Sequence, residues 1–267
     1  MEFWQYPTMM LAGAVAGVLG GLLGVGGAVI MIPAMVWILH WPNAMHQYQA
    51  AAMIVVPLLV LPSIPVHRRN RAIWSDLLAW MVPPALLGTA GGVLLSYRPM
   101  LSGDNTIYMN YLMGAFFAYV AGQNILKLLD GQKHEGLDHQ AVLAFPWWRK
   151  GAVGMLMGIA AGLLSVGGGA VAVPAQQSIL RMPLRNAIAT SAAAILFTGL
   201  VGAVMKNAML GPNGQWQTSL LLAGLLTPTA MLGSYIGSHL THKLPLMWVR
   251  LAFIIMLLAS AARLFVR

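Results

Sequence analysis

Gly20-Gly21-Leu22-Leu23-Gly24-Val25-Gly26-Gly27-Ala28-Val29-Ile30-Met31-Ile32-Pro33 is an apolar run interrupted by glycine, and Ala161-Gly162-Leu163-Leu164-Ser165-Val166-Gly167-Gly168-Gly169-Ala170-Val171-Ala172-Val173-Pro174 repeats it 141 residues later. Glycine costs a helix interior about 1 kcal/mol relative to alanine, and proline about 3 kcal/mol. Clustered glycines with a proline at equivalent places therefore predict a real break in each of two helices. The repeat extends outward from the breaks. Aligning 13–52 with 154–193 leaves no gap, and 15 of the 40 positions are identical. Among them are Gly13, Gly17 and Gly21 with Gly154, Gly158 and Gly162, Pro33 with Pro174 and Pro42 with Pro183. Further on, Gly88 and Gly92 match Gly233 and Gly237.

The medium around these helices follows from composition. Of 267 residues, 59% are hydrophobic and 8% charged, against about 25% charged in a soluble domain. Apolar segments occur near 8–39, 47–66, 74–97, 107–128, 151–180, 186–205, 217–238 and 245–264, and most match the ~20 residues that cross a ~30 Å hydrocarbon core. The expected fold is an all-α polytopic membrane protein of two pseudo-symmetric repeats, with segments 1 and 5 broken or re-entrant. The first repeat is 1–129, a polar linker follows at 130–150, and the second repeat is 151–267. The partners expected from this pattern are the lipid bilayer and a small solute, with no nucleic acid; a homo-oligomer is compatible with it. The formal charge of +9 lies mostly in short connections, as membrane orientation requires.

Whether segments 1 and 5 cross the membrane or turn back is not settled by charge. The lysines and arginines of the connections divide ten against four along either path. The arms of segment 1, about 16 and 12 residues, would reach only ~24 and ~18 Å. That favours the hairpin, which makes the halves inverted and leaves both termini outside.

Non-helical backbone persists at membrane depth only where protein buries it or a polar cavity meets it. The half-helix after each break begins with unpaired N–H groups and the positive end of a helix dipole, and glycine admits an anion to that backbone. Gly26, Gly27, Ala28, Gly167, Gly168 and Gly169 are thus candidate substrate-binding residues. The rows Gly13/Gly17/Gly21 and Gly154/Gly158/Gly162 read as helix packing. Thr190 and Ser191, with Gln49 as the repeat partner of Thr190, are candidates to complete an oxyanion's hydrogen bonds. Gln176 and Gln177 form a one-sided polar wall, since their counterparts are Met35 and Val36.

Other chemistries lack their parts. There is no cysteine, no carboxylate inside an apolar segment, and no histidine pair with metal-ligand spacing. The six acids, Glu2, Asp76, Asp104, Asp130, Glu135 and Asp138, lie at segment ends or in connections. No enzyme activity, cofactor or metal is expected. An anion channel and an intramembrane enzyme are the alternatives, the second without a catalytic set.

The second half, from the glycine triplet through Pro174 and Pro183 to Ala187-Ile188-Ala189-Thr190-Ser191, resembles the TauE/SafE family of sulfite and organosulfonate exporters. The first half departs from that pattern, with Ala28 in place of a third glycine and Gln49-Ala50 in place of Thr190-Ser191. The resemblance implies transport of a sulfite, sulfonate or carboxylate anion across a bacterial inner membrane, and the inverted halves suggest alternating access.

Overall fold

The computed structural model describes residues 2–24, 26–41, 44–101, 106–129, 136–211, 215–240 and 247–266. Val25, Pro42, Asp104 and the linker residues 130–135 lie outside the described residues, so the expectations placed on them are not taken further. Twelve helices follow one another, and no strand occurs among the described residues: α1 (Gln5–Leu23), α2 (Ala28–Leu39), α3 (Met45–Val60), α4 (Ser63–Arg69), α5 (Ser75–Ser96), α6 (Thr106–Leu129), α7 (His139–Leu143), α8 (Trp147–Leu164), α9 (Gly169–Ile179), α10 (Leu184–Ala208), α11 (Gln215–Leu240) and α12 (Met247–Val266). Segment 1 becomes α1 and α2, segment 5 becomes α8 and α9, and segment 2 becomes α3 and α4. Among the described residues, four spans are long and apolar enough to cross a membrane: Met45–Arg69, Ser75–Ser96, Leu184–Ala208 and Trp216–Leu240. Leu87, Leu94, Val204, Leu232 and Ile236 stand exposed on their outer faces. With no water in the bilayer core, helices satisfy their own backbone and present these side chains to lipid.

The glycine rows explain how the helices pair. Beside Gly17 the Ala230 carbonyl oxygen would lie 2.2 Å from an added methyl, and beside Gly158 the Ala85 oxygen would lie 2.0 Å away. Backbone meets backbone there, as small residues permit. Gly13, Gly17 and Gly21 follow α11 from Leu226 to Ser234, while Gly154, Gly158 and Gly162 follow α5 from Met81 to Thr89. The later glycines reciprocate, Gly233 and Gly237 against α1, and Gly88 and Gly92 against α8. Each half thus lends its first helix to the other half.

Loop contacts assign the ends of the bundle. At one end His46 Nε2 lies 3.1 Å from the Leu101 carbonyl oxygen, Tyr97 Oη donates to the Lys206 carbonyl at 3.0 Å, and Ser219 hydrogen-bonds Asn207. At the other, Asn186 Nδ2 donates to the Ala72 carbonyl at 3.1 Å, Leu137 N to the Arg181 carbonyl at 2.8 Å, and His139 pairs with Asp76 at 3.6 Å. We refer to these as the Tyr97 end and the Trp74 end. Asn186 therefore ties the first turn of α10 to the connection before α5 and does not cap α10, whose N-cap is Pro183.

Segment 1 turns back. Gln5, at the start of α1, donates from Nε2 to the carbonyl of Ile38, near the end of α2, at 3.2 Å. A straight broken helix would put those residues about 50 Å apart at 1.5 Å per residue. The α1–α2 hairpin opens at the Tyr97 end, where α3 starts. Helix α9 packs on α8, and this second hairpin opens at the Trp74 end, where α10 starts. In the middle α3 and α10 cross antiparallel: Asn207 Nδ2 reaches the Ala50 carbonyl at 3.4 Å, Gly202 meets Met53, and Gly199 meets Pro57.

Candidate functional site

The hairpins, entering from opposite ends, touch at their tips. A methyl at Gly26 would lie 3.4 Å from the Val166 carbonyl oxygen and 3.8 Å from Gly167 Cα. The chain reverses there through left-handed backbone at Gly24 (φ 65°), Gly26 (φ 86°), Gly167 (φ 74°) and Gly168 (φ 78°), a region that residues with a Cβ enter at a cost of roughly 1–2 kcal/mol. Ser165 accepts that conformation without being glycine, at φ 59°. Its hydroxyl is fully buried and has no partner. Strain and an orphaned polar group together mark functional positions more often than structural ones.

Helix α2 starts from Gly27 and α9 from Gly168, and neither start has a side-chain cap. Gly26, Gly27, Ala28, Gly167, Gly168 and Gly169 are all buried. Two uncapped helix N-termini, each carrying roughly half a positive charge, converge inside the protein. A narrow cavity adjoins the first tip, lined by Gly24, Gly26, Ser63, His67, Ile195 and Ser234. Ser63, His67 and Ser234 were not among the residues singled out in the sequence. His67 is buried within α4 and does not belong to a surface connection.

The remaining candidates do not gather at the tips. Gly167 meets Val56 and Gly26 meets Ile195, which fixes the level of the tips on α3 and α10. Gln49 lies seven residues from Val56 toward the Tyr97 end, about 10 Å along the helix. Gln176 lies about 12 Å from Gly168 toward the Trp74 end by the same rise. Both are fully buried, and neither side-chain amide has a partner for its oxygen or its nitrogen. Thr190 is engaged, accepting from Trp74 N at 3.2 Å, and Ser191 donates to the Ile188 carbonyl at 3.0 Å. Gln177 is only half-buried. The polar set is thus a central pair of tips with an orphaned glutamine on each side.

Two lysines are buried, Lys150 near the start of α8 and Lys206, and the second was missed within a membrane helix. Lys206 is fully buried in the last turn of α10. In sequence it falls one residue past an apolar run and reads as part of a connection. The helix in fact continues to Ala208.

The family model described as "Sulfite exporter TauE/SafE" matches residues 9–264. The chain belongs to the sulfite exporter TauE/SafE family. Among its TauE/SafE relatives, a probable membrane transporter protein of Xylella fastidiosa is 30% identical over 71% of this chain and 69% of its own length. YunE of Bacillus subtilis, another probable membrane transporter protein, is 22% identical over 90% of each chain. MamO of Magnetospirillum gryphiswaldense, also a probable membrane transporter protein, is 26% identical over 86% of this chain. The alignment spans only 40% of the length of that relative. No solved structure matches the chain.

Proposed function

We propose that this TauE/SafE protein is a transporter that carries a small anion of the sulfite, sulfonate or carboxylate class across the bacterial inner membrane by alternating access. The observation that carries the reading is the meeting of two uncapped, buried helix N-termini at Gly26 and Gly167. Backbone amides of Gly26 and Gly27 on one side, and of Gly167, Gly168 and Gly169 on the other, would hold the oxyanion without a charged side chain; the Ala28 N–H donates to the Gly26 carbonyl at 2.6 Å and would shape the turn beside it. Gln49 and Gln176 would line the approaches, with Gln177, Thr190 and Ser191 beyond Gln176.

The halves 1–129 and 151–267, joined by the linker 130–150, are read as inverted repeats. Helices α3 and α10 correspond under the 141-residue shift and run antiparallel, which supports that reading and suits alternating access. The Trp74 end carries Arg68, Arg69, Arg71, Arg149, Arg181 and Arg185, and is assigned to the cytoplasm on the positive-inside rule. A reporter fused after Arg267 is then expected to be active only outside the cytoplasm, and one inserted in the linker only inside; the opposite pair of results rejects the orientation.

Because the chain has no cysteine, a single thiol tests the site. Ser165→Cys is nearly isosteric and places sulfur beside the second tip. Saturating methanesulfonate or acetate is expected to slow its reaction with a small methanethiosulfonate at least fivefold. Equal rates with and without every anion reject the tips as the site.

A further inference from the structure

Beyond the tips, we infer that a second anion-binding site lies toward the Tyr97 end, built on the Lys206 ammonium and the Gln49 amide. Lys206 is fully buried; its Nζ donates to Ser96 Oγ at 2.7 Å and sits 5.1 Å over the Tyr97 ring. Among the described residues no carboxylate pairs with it. An ionised amine in a membrane helix is costly unless a counter-charge accompanies it, and such residues mark solute paths. An ammonium offers three donors; Ser96 Oγ takes one of them, and Ser96 in turn donates to Val93 at 2.7 Å.

The neighbouring groups lack partners in a consistent way. His46 stacks on the same Tyr97 ring at 4.7 Å. Its Nε2 is held by Leu101, and its buried Nδ1 has no partner. Gln49 is three residues on, so it shares the helix face of His46, and α3 turns this face to α10, where Asn207 reaches the Ala50 carbonyl. Gln49 is fully buried with both amide atoms unpartnered. A buried amine without an anion on α10, and a buried amide without a partner on the facing α3, would both be satisfied by a small oxyanion that bonds the two. Lys206 lies about 10 Å past the α3–α10 crossing at Gly199, by helical rise. This site is therefore separate from the tips and does not depend on their holding the solute.

The test is the stoichiometry with which the purified full-length protein binds radiolabelled sulfite, with acetate and methanesulfonate as competitors. Two sites are expected in the wild type, one in Lys206→Gln, one in Gly26→Ala and none in the double variant. Lys206→Gln that keeps both sites overturns the inference, as does a wild type with no site that any of the three occupies. A wild type with a single site, lost in Lys206→Gln and kept in Gly26→Ala, would leave this site standing and overturn the tip reading alone. If Lys206→Gln does not fold, Gln49→Leu replaces it, with at least a tenfold rise in Kd expected at one site and an unchanged Kd overturning the inference. In sequence, Asp104 lies between α5 and α6. Full coupling of Asp104→Asn with Lys206→Gln in melting temperature would assign the counter-charge to Asp104 and likewise overturn the inference.

Discussion

Leucine at Gly158 is expected to leave no monodisperse, folded protein after detergent extraction. A methyl there would already lie 2.0 Å from the Ala85 carbonyl oxygen and 2.9 Å from Ala85 Cα, distances that only separation of α5 from α8 could relieve. Overpacking typically costs 1–3 kcal/mol where side chains can shift. Here the obstacle is backbone, so the cost is expected at or above that range. Gly91, one helical position from the contact, has nothing within 4 Å of an added methyl, and Gly91→Leu is expected to melt like the wild type. Size-exclusion profiles and thermal unfolding of the two variants check the pair; equal behaviour would mean that the α5–α8 crossing is not a close backbone contact.

Alanine at Gly26 is expected to remove anion binding at the tips while the protein stays folded. The added methyl finds ordinary contact distances, 3.4 Å to Ile195 Cδ1 and 3.4 Å to the Val166 oxygen, so space is not the difficulty. Its φ of 86° adds roughly 1–2 kcal/mol of backbone strain, which a stable membrane protein tolerates. The methyl would stand between the two tips, where the proposed site needs bare backbone. Transport is expected to fall at least tenfold, with a melting-temperature loss of only a few degrees. Gly168 serves this purpose less well: its substituent would lie 2.6 Å from the Met157 carbonyl oxygen, so a variant there disturbs α8–α9 packing as well.

The parts of the fold that were legible are those the bilayer dictates. Spans of ~20 residues are imposed by hydrocarbon thickness, and all eight apolar segments became helical elements. The breaks were legible because glycine and proline act locally. Partner choice was not, since Gly13, Gly17 and Gly21 announce a close crossing without saying that α11, from the other half, fills it. The path of segment 1 was legible from arm length and not from charge: neither arm reaches across ~30 Å, and Gln5 meets Ile38 as a hairpin requires.

The site was legible in the same uneven way. Gln49 and Gln176 stand out in sequence as amides in apolar surroundings, and both proved buried and unpartnered. Thr190 and Ser191 look equally suitable, yet their hydroxyls bond Trp74 and Ile188, contacts that no spacing predicts. Ser165 went unremarked because a serine in a glycine-rich run looks like a substitute for glycine; its left-handed backbone and orphaned hydroxyl appear only in three dimensions. Lys206 was hidden by the end of the apolar run, although α10 carries it inward.

Counterflow in proteoliposomes, with sulfite, methanesulfonate and acetate inside and each labelled anion outside, tests the proposed function most directly. Saturable exchange of at least one anion by the wild type, lost in Gly26→Ala and retained in Gly91→Leu, is the predicted result. Folded wild-type protein that exchanges none of the three, or whose flux rises without saturation, would contradict it.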